Sequence, residues 1–248
     1  MLQREMVLME VCVDTYQSAL EAVKGGAGRL ELCSALSEDG LTPSPGTLIT
    51  IKQDMEVPVF CMIRPRGGDF LYTEPELKIM EKDMKILKDQ GADGFVFGAL
   101  DPQGRVDSAA CERLLQAAAP HPCTFHRAFD ATVEPISTLD EVIRLGFTRL
   151  LTSGLASTAN EGIRVIQDLV QRAQGRIKIM PGSGINEVNV GHILRVTGAR
   201  EFHGSGRVLR CSNMNHVNPG FPPSPIHGTS ADKIQQILAA ARESITEQ

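Results

Sequence analysis

A chain of 248 residues is long for the commonest domain size but ordinary for a single α/β barrel, and a hydrophobic content of 42% with 4% aromatics and no Trp implies a sizeable core of Leu, Val, Ile and Met. The formal net charge of −5 gives no electrostatic case for nucleic acid or an anionic membrane surface as a partner. No apolar run reaches the roughly 18 residues of a membrane span.

The first strand is expected over Met6 to Cys12. Asp14 or Thr15 then caps a helix carrying Ala19, Leu20, Ala22 and Val23, which Gly25-Gly26 stops. Strand 2 spans about Arg29 to Cys33. After the loop SALSEDGLTPS, Ser44 caps a helix with Pro45 at its first position, running to about Asp54. Strand 3 is Val57 to Arg64, followed by the loop RPRGGDFLY. Thr73 and Glu76 form a capping box that opens a helix with Leu77, Met80, Met84 and Leu87 on one stripe. Strand 4 is Gly94 to Leu100, and Asp107 or Ser108 starts a helix to about Ala118. Strand 5 is Cys123 to Arg127, and a helix runs from about Glu134 to Gly146. Strand 6 is Thr148 to Gly154, with a helix over about Thr158 to Gln174. Strand 7 is Arg176 to Met180, followed by PGSGI, and Asn186 caps a helix to about Val196. Strand 8 is Ala199 to Gly204. An irregular loop from Ser205 to Gly228 follows, and Ser230 caps a last helix with Ile234, Ile237, Leu238 and Ala241.

Eight strand–helix units in about 250 residues are the pattern of an α/β fold of the (β/α)8 TIM-barrel type, here one domain over residues 1–248. An open doubly wound sheet would be the other arrangement, but no G-x-G-x-x-G follows the first strand. The six cysteines (Cys12, Cys33, Cys61, Cys111, Cys123, Cys211) lack a disulfide-framework spacing, and MLQREMVLMEVC lacks a signal-peptide profile. Free thiols in a cytoplasmic protein are expected.

The stretches MEVC and LELC repeat the form Glu-x-Cys, which puts Glu10 and Cys12 on one strand face and Glu31 and Cys33 on another. Glu201-Phe202-His203 is the same pattern with His. In a closed barrel strand 8 lies beside strand 1, so these three strands are consecutive, about 4.8 Å apart. Polar side chains at the C-terminal ends of barrel strands line the functional mouth. Those expected there also include Arg64, Arg66, Asp69, His126, Arg127, Asp130, Thr152, Ser153 and Ser183. Taken singly, the cysteines suit small core residues. As a pair they suit a shared soft ion, Cu(I) or Zn(II), or a redox couple. Glu10, Glu31 and Glu201 suit either a direct ligand role or ion pairs with Arg64 and Arg127. The run from Arg64 to Asp69 suits either a loop braced by its own charges or an anion grip. Ser183-Gly184 and Gly204-Ser205-Gly206 occupy the usual phosphate position of barrels, and tight turns are the other reading.

MEVC, GGAGRLELC, GLTPS, VPVFCMIRPRGGDFLY, GADGFVFGAL, TFHRAFD, LTSG and MPGSGI together resemble the CutC copper homeostasis protein family, over nearly the whole chain to about Ser205. HGSGRVLRCSNMNHVNPGFPP and Ser183 depart from that pattern. The resemblance implies a TIM barrel that is cytoplasmic and in animals also nuclear, forms homo-oligomers (a dimer or tetramer), and binds Cu(I) through Cys12 and Cys33 with no organic cofactor. The alternative function is an enzyme acting on a small anionic metabolite, phosphorylated or carboxylated, in the same mouth. Arg64, Arg66, Asp69, Arg127, Ser183, Gly184 and His203 would then bind the ligand, and Glu10, Glu31, His126 or Glu201 would move protons.

Overall fold

A computed structural model describes residues 7–216, 218, 220 and 225–246. Its centre is a ring of eight short parallel strands: β1 (Leu8–Val13), β2 (Arg29–Leu32), β3 (Val59–Met62), β4 (Gly94–Phe97), β5 (Cys123–Phe125), β6 (Arg149–Thr152), β7 (Lys178–Pro181) and β8 (Glu201–Gly204). Each strand pairs with the next from β1 to β7, and β8 pairs with β1. β7 and β8 complete the ring by packing. A Cβ added at Gly182, just beyond β7, would lie 2.6 Å from Leu151 Cδ1 and 3.2 Å from the His203 Cβ, so a side chain there would crowd both neighbours of β7. The fold is a (β/α)8 barrel, nearly closed.

Strand alternation divides the core in two. The outward face, including Val11, Leu30, Val59, Cys61, Phe95, Phe125 and Phe202, is sealed against the helices. Fully burying such side chains contributes roughly 1.5–3 kcal/mol each. The inward face is small and mixed, with Cys33, Phe60, Met62 and Val96 as its apolar plug.

The surrounding helices are α1 (Tyr16–Gly25), α2 (Pro45–Asp54), α3 (Glu74–Asp89), α4 (Ser108–Ala118), α5 (Pro135–Leu145), α6 (Ile163–Ala173), α7 (Val190–Thr197) and α8 (Ala231–Thr246). Thr15, Ser44 and Asp107 accept from backbone N–H groups as N-caps, and Thr73 with Glu76 closes the expected capping box. Leu77, Met80, Met84 and Leu87 of α3 are buried, as are Ile234, Ile237, Leu238 and Ala241 of α8. Among the described residues no helix is long and apolar enough to cross a membrane.

Some boundaries differ from the sequence reading. Strands β2 to β6 are shorter because their last residues leave the ladder toward the mouth, whereas β1, β7 and β8 start later than expected; Met6 lies outside the described residues. Helix α6 begins at Ile163 rather than Thr158: Thr158 and Glu161 cap one another across a turn that does not continue. Helix α7 begins at Val190, because the Asn186 carboxamide accepts from Val188 and Asn189 and forms its own turn. The stretch expected to be an irregular loop contains an antiparallel ribbon, β9 (Arg207–Arg210) with β10 (Ile226–Thr229). Residues 217, 219 and 221–224 of that stretch lie outside the described residues.

Candidate metal centre at the barrel mouth

The strand register fixes two tiers of polar side chains inside the barrel. In the lower tier, Glu10 of β1 stands level with Arg29 of β2 and with His203 of β8. Arg29 donates through Nε to Glu10 Oε2 and through Nη2 to Glu201 Oε2 at 2.8 Å. Arg149 of β6 donates to the same Glu201 oxygen at 2.7 Å. Both guanidinium groups stack on the Phe60 ring, 5.0 and 5.2 Å from its centroid. Glu10 is fully buried. Burial alone would raise its carboxyl, but the hydrogen bond and charge of His203 and the charge of Arg29 outweigh that and hold it at about 2. Glu201 therefore belongs to the floor of the barrel and not to the mouth, which corrects the sequence reading. Glu10 and Glu201 pair with Arg29 and Arg149, not with Arg64 and Arg127, and among the described residues Glu31 has only His203.

The upper tier is built on the same three strands. Cys12 stands level with Glu31. Cys12, Glu31 and His203 each offer one donor atom, all within 4.8 Å of one another. His203 Nδ1 is 2.9 Å from Glu10 Oε1, and its Nε2 is 3.7 Å from Glu31 Oε2. Burial works against protonation of His203, but the charge of Glu31, the Cys12 group and the bond to Glu10 raise it well above the ordinary imidazole range. Burial, with the Glu10 charge adding to it, pushes Glu31 up to about 7 against the pull of His203. Glu31 Oε1 is buried without a hydrogen-bond partner.

Cys33, one alternation further along β2, lies in the apolar plug, its thiol 3.6 Å from Glu31 Oε2. It is not among the three converging donors. Burial first, then the Glu31 and Cys12 charges, raise its thiol well above the usual range.

Above this tier opens a cavity of about 630 Å³, lined by Cys12, Glu31 and His203 on one side and by Arg64, His126 and Arg127 on another. Arg64 spends Nη1 on the carbonyls of Glu38 and Gly40 and Nη2 on that of Gly68; its Nε has no partner. His126 is pushed down to about 3, by burial and then by the Arg64 charge, so its imidazole is neutral. Its Nδ1 accepts from the Ala128 N–H, which leaves the proton on Nε2, an atom without a partner. His126 is thus a fixed donor at neutral pH, a hydrogen-bonded part of the wall rather than the proton mover of the alternative enzyme reading.

Arg127 is bound to Asp130 and Ser153, and Asp130 also accepts from Thr152 Oγ1 and the Ser153 N–H. These groups shape the β5–β6 rim. Ser183 and Gly184 line the cavity in left-handed backbone, φ +77° and +70°. Helix α7 starts six residues after Gly184, and its first residues are not among those that line the cavity. Arg66 and Asp69 are not brought to the cavity. They bond each other, and Arg66 also bonds Glu76 and stacks on Tyr72, which is the self-braced loop. The sequence reading missed Arg29, Arg149, Met62, Phe70 and Arg207. For Arg29 the signal was present: it shares the parity of Glu31 and Cys33.

The CutC family model matches residues 7–208. The copper homeostasis protein cutC homolog of Homo sapiens is 51% identical over 211 residues, covering 85% of this chain and 77% of that protein. A family protein CutC of Parabacteroides distasonis is 45% identical over 216 residues, covering 87% and 89%. The crystal structure of a CutC protein from Streptococcus agalactiae superimposes with a TM-score of 0.77 at 36% identity, covering 81% of this chain and 99% of that one.

Proposed function

Since this chain belongs to the CutC family, we propose that it binds copper(I) in the mouth of its barrel, with Cys12 and Cys33 as thiolate ligands. The observation that carries the reading is the position of Cys12, on the floor of an open cavity with a second thiol on the inner face of the next strand. The donor chemistry fits a soft ion: two thiols, and the Met62 thioether in the cavity wall. Each thiol must lose its proton to ligate, and Cys33 holds its proton tightly. Affinity therefore falls as pH falls. The test is anaerobic titration of the reduced protein with Cu(I) against a chromophoric chelator. Wild type is expected to take one ion per chain and the folded double variant Cys12→Ser/Cys33→Ser none. Stoichiometric binding by the double variant would remove this site.

A second reading is favoured by one observation. Arg64 Nε and His126 Nε2 are buried donors without partners on the wall of the same cavity. They suit a small carboxylated or phosphorylated molecule, the substrate of an enzyme. In a thermal-shift screen of anionic metabolites, a true ligand raises the unfolding midpoint of wild type and leaves that of His126→Ala unmoved. Equal shifts in both proteins would sink the assignment.

A further inference from the structure

The three atoms that converge most closely are not the two sulfurs. We propose that Cys12, Glu31 and His203 form a three-ligand site for a divalent ion of the zinc class, with one coordination position open to the cavity. The proposal deepens the metal-binding reading of the mouth but does not use Cys33.

Four observations support it. First, the donors come from three consecutive strands, β8, β1 and β2, one from each, and all lie within 4.8 Å of one another. Strand ladders hold them more rigidly than loops would. Second, Glu31 is 3% exposed, yet its Oε1 has no partner. A buried carboxylate oxygen left unpaired is rare unless something absent from the protein completes it. Third, His203 is already oriented as a ligand. Its Nδ1 is bound to Glu10 Oε1 at 2.9 Å, and Glu10 is in turn bound to Arg29. A carboxylate behind an imidazole fixes the ring and directs the other nitrogen at an ion. That other nitrogen, Nε2, is the one nearer Glu31, at 3.7 Å.

Fourth, the donor set is mixed. One sulfur, one nitrogen and one carboxylate oxygen suit a borderline divalent ion; a carboxylate adds little for Cu(I). Structural zinc sites are closed by four protein ligands, whereas sites that do chemistry keep three and leave one position for water or substrate. Here the fourth direction opens on the cavity, whose far wall carries the Arg64 and His126 donors. The ligand class for the open position is a small anion.

The test uses the full chain, reduced and freed of metal with a chelator, then titrated with Co(II) and Zn(II). Co(II) ligation by sulfur is read from the thiolate-to-cobalt charge-transfer absorption, and Zn(II) affinity from competition with a chromophoric chelator. Wild type is expected to bind one ion per chain with the sulfur band. Cys12→Ser loses that band; Cys12→Ala serves if the serine variant does not fold. Glu31→Gln and His203→Gln each weaken Zn(II) binding by more than tenfold, and Glu10→Gln, which removes the carboxylate behind the imidazole along with the Arg29 partner, weakens it roughly 10- to 100-fold in the folded variant. Cys33→Ser binds as wild type does. Thermal unfolding of each metal-free variant reports that it is folded. The proposal is overturned if metal-free wild type takes up neither ion. It is equally overturned if folded Glu31→Gln and His203→Gln keep wild-type affinity while Cys33→Ser loses the sulfur band. Copper(I) titration of Cys33→Ser separates the two metal readings. Loss of Cu(I) with retention of Co(II) supports both, and a Cys12/Cys33 double variant that still takes Cu(I) removes the copper reading alone.

Discussion

The two tiers inside the barrel are built from the same wall of strands and much the same residue types, but they are completed differently. In the lower tier Glu10, Arg29, Arg149 and Glu201 use one another, and each charge is neutralised at hydrogen-bond distance. In the upper tier and the cavity wall above it, Glu31 Oε1, Arg64 Nε and His126 Nε2 are all buried without partners. Burying a charge is tolerated where it is paired, and a group left unpaired is costly. The charges of the lower tier thus close on one another, whereas the upper tier and the cavity wall above it leave polar atoms unpaired. Charge inside the barrel does not by itself mark function; unpaired polar atoms gathered around a cavity are the better sign.

The contrast breaks most easily at Arg29, which joins the lower tier together. Arg29→Met keeps length and stacking area over Phe60 but leaves Glu10 and Glu201 sharing a buried site with one fewer cation. Removing one partner of a buried pair costs about 3–5 kcal/mol. Urea unfolding of the variant is expected to show a loss of that size. A loss below about 1 kcal/mol would mean that the lower tier is not what holds the ring together.

Much of the fold was legible because the local signals agree. The capping box at Thr73 and Glu76, the stripe from Leu77 to Leu87 and the Gly26 and Gly146 stops specify helices without help from the rest of the chain. The convergence of strands 8, 1 and 2 was legible from the count of eight strand–helix units, which closes strand 8 on strand 1, and the repeated Glu-x-Cys and Glu-x-His named the residues that meet there. Depth along the strand was not. Alternation reports which face a side chain is on but not how far up the barrel it stands, since that is fixed by the stagger between strands. Glu201 has the parity of His203 yet lies level with Leu8, below Glu10. Arg64 and Arg66 have the same parity on paper and both lie past the end of β3, but the Arg64 N–H is still held by Thr42 Oγ1 and its side chain lines the cavity, whereas Arg66 turns to Asp69 and Glu76. The β9–β10 ribbon was hidden because its Pro- and Gly-rich centre masks two four-residue strands.

Glu31 gives the smaller but more discriminating test, because its effect has a sign that a purely structural carboxylate would not have. Its carboxyl is raised from 4.5 to about 7, first by burial and then by the Glu10 charge, so the folded chain holds a proton there that the unfolded chain has released. For an acid raised in this way, stability falls as pH climbs through the window from 4.5 to about 7. At ~1.4 kcal/mol per unit the full loss is about 3 kcal/mol. Glu31→Gln keeps the shape and cannot ionise. In metal-free protein the variant is therefore expected to match wild type near pH 5 and to exceed it by up to about 3 kcal/mol at pH 8, measured by urea unfolding at the two values. Zinc added at pH 8 should raise wild type and not the variant. If the variant is instead weaker than wild type at both pH values, Glu31 is a bonded member of the structure like Glu10, and the upper tier loses the incompleteness that sets it apart.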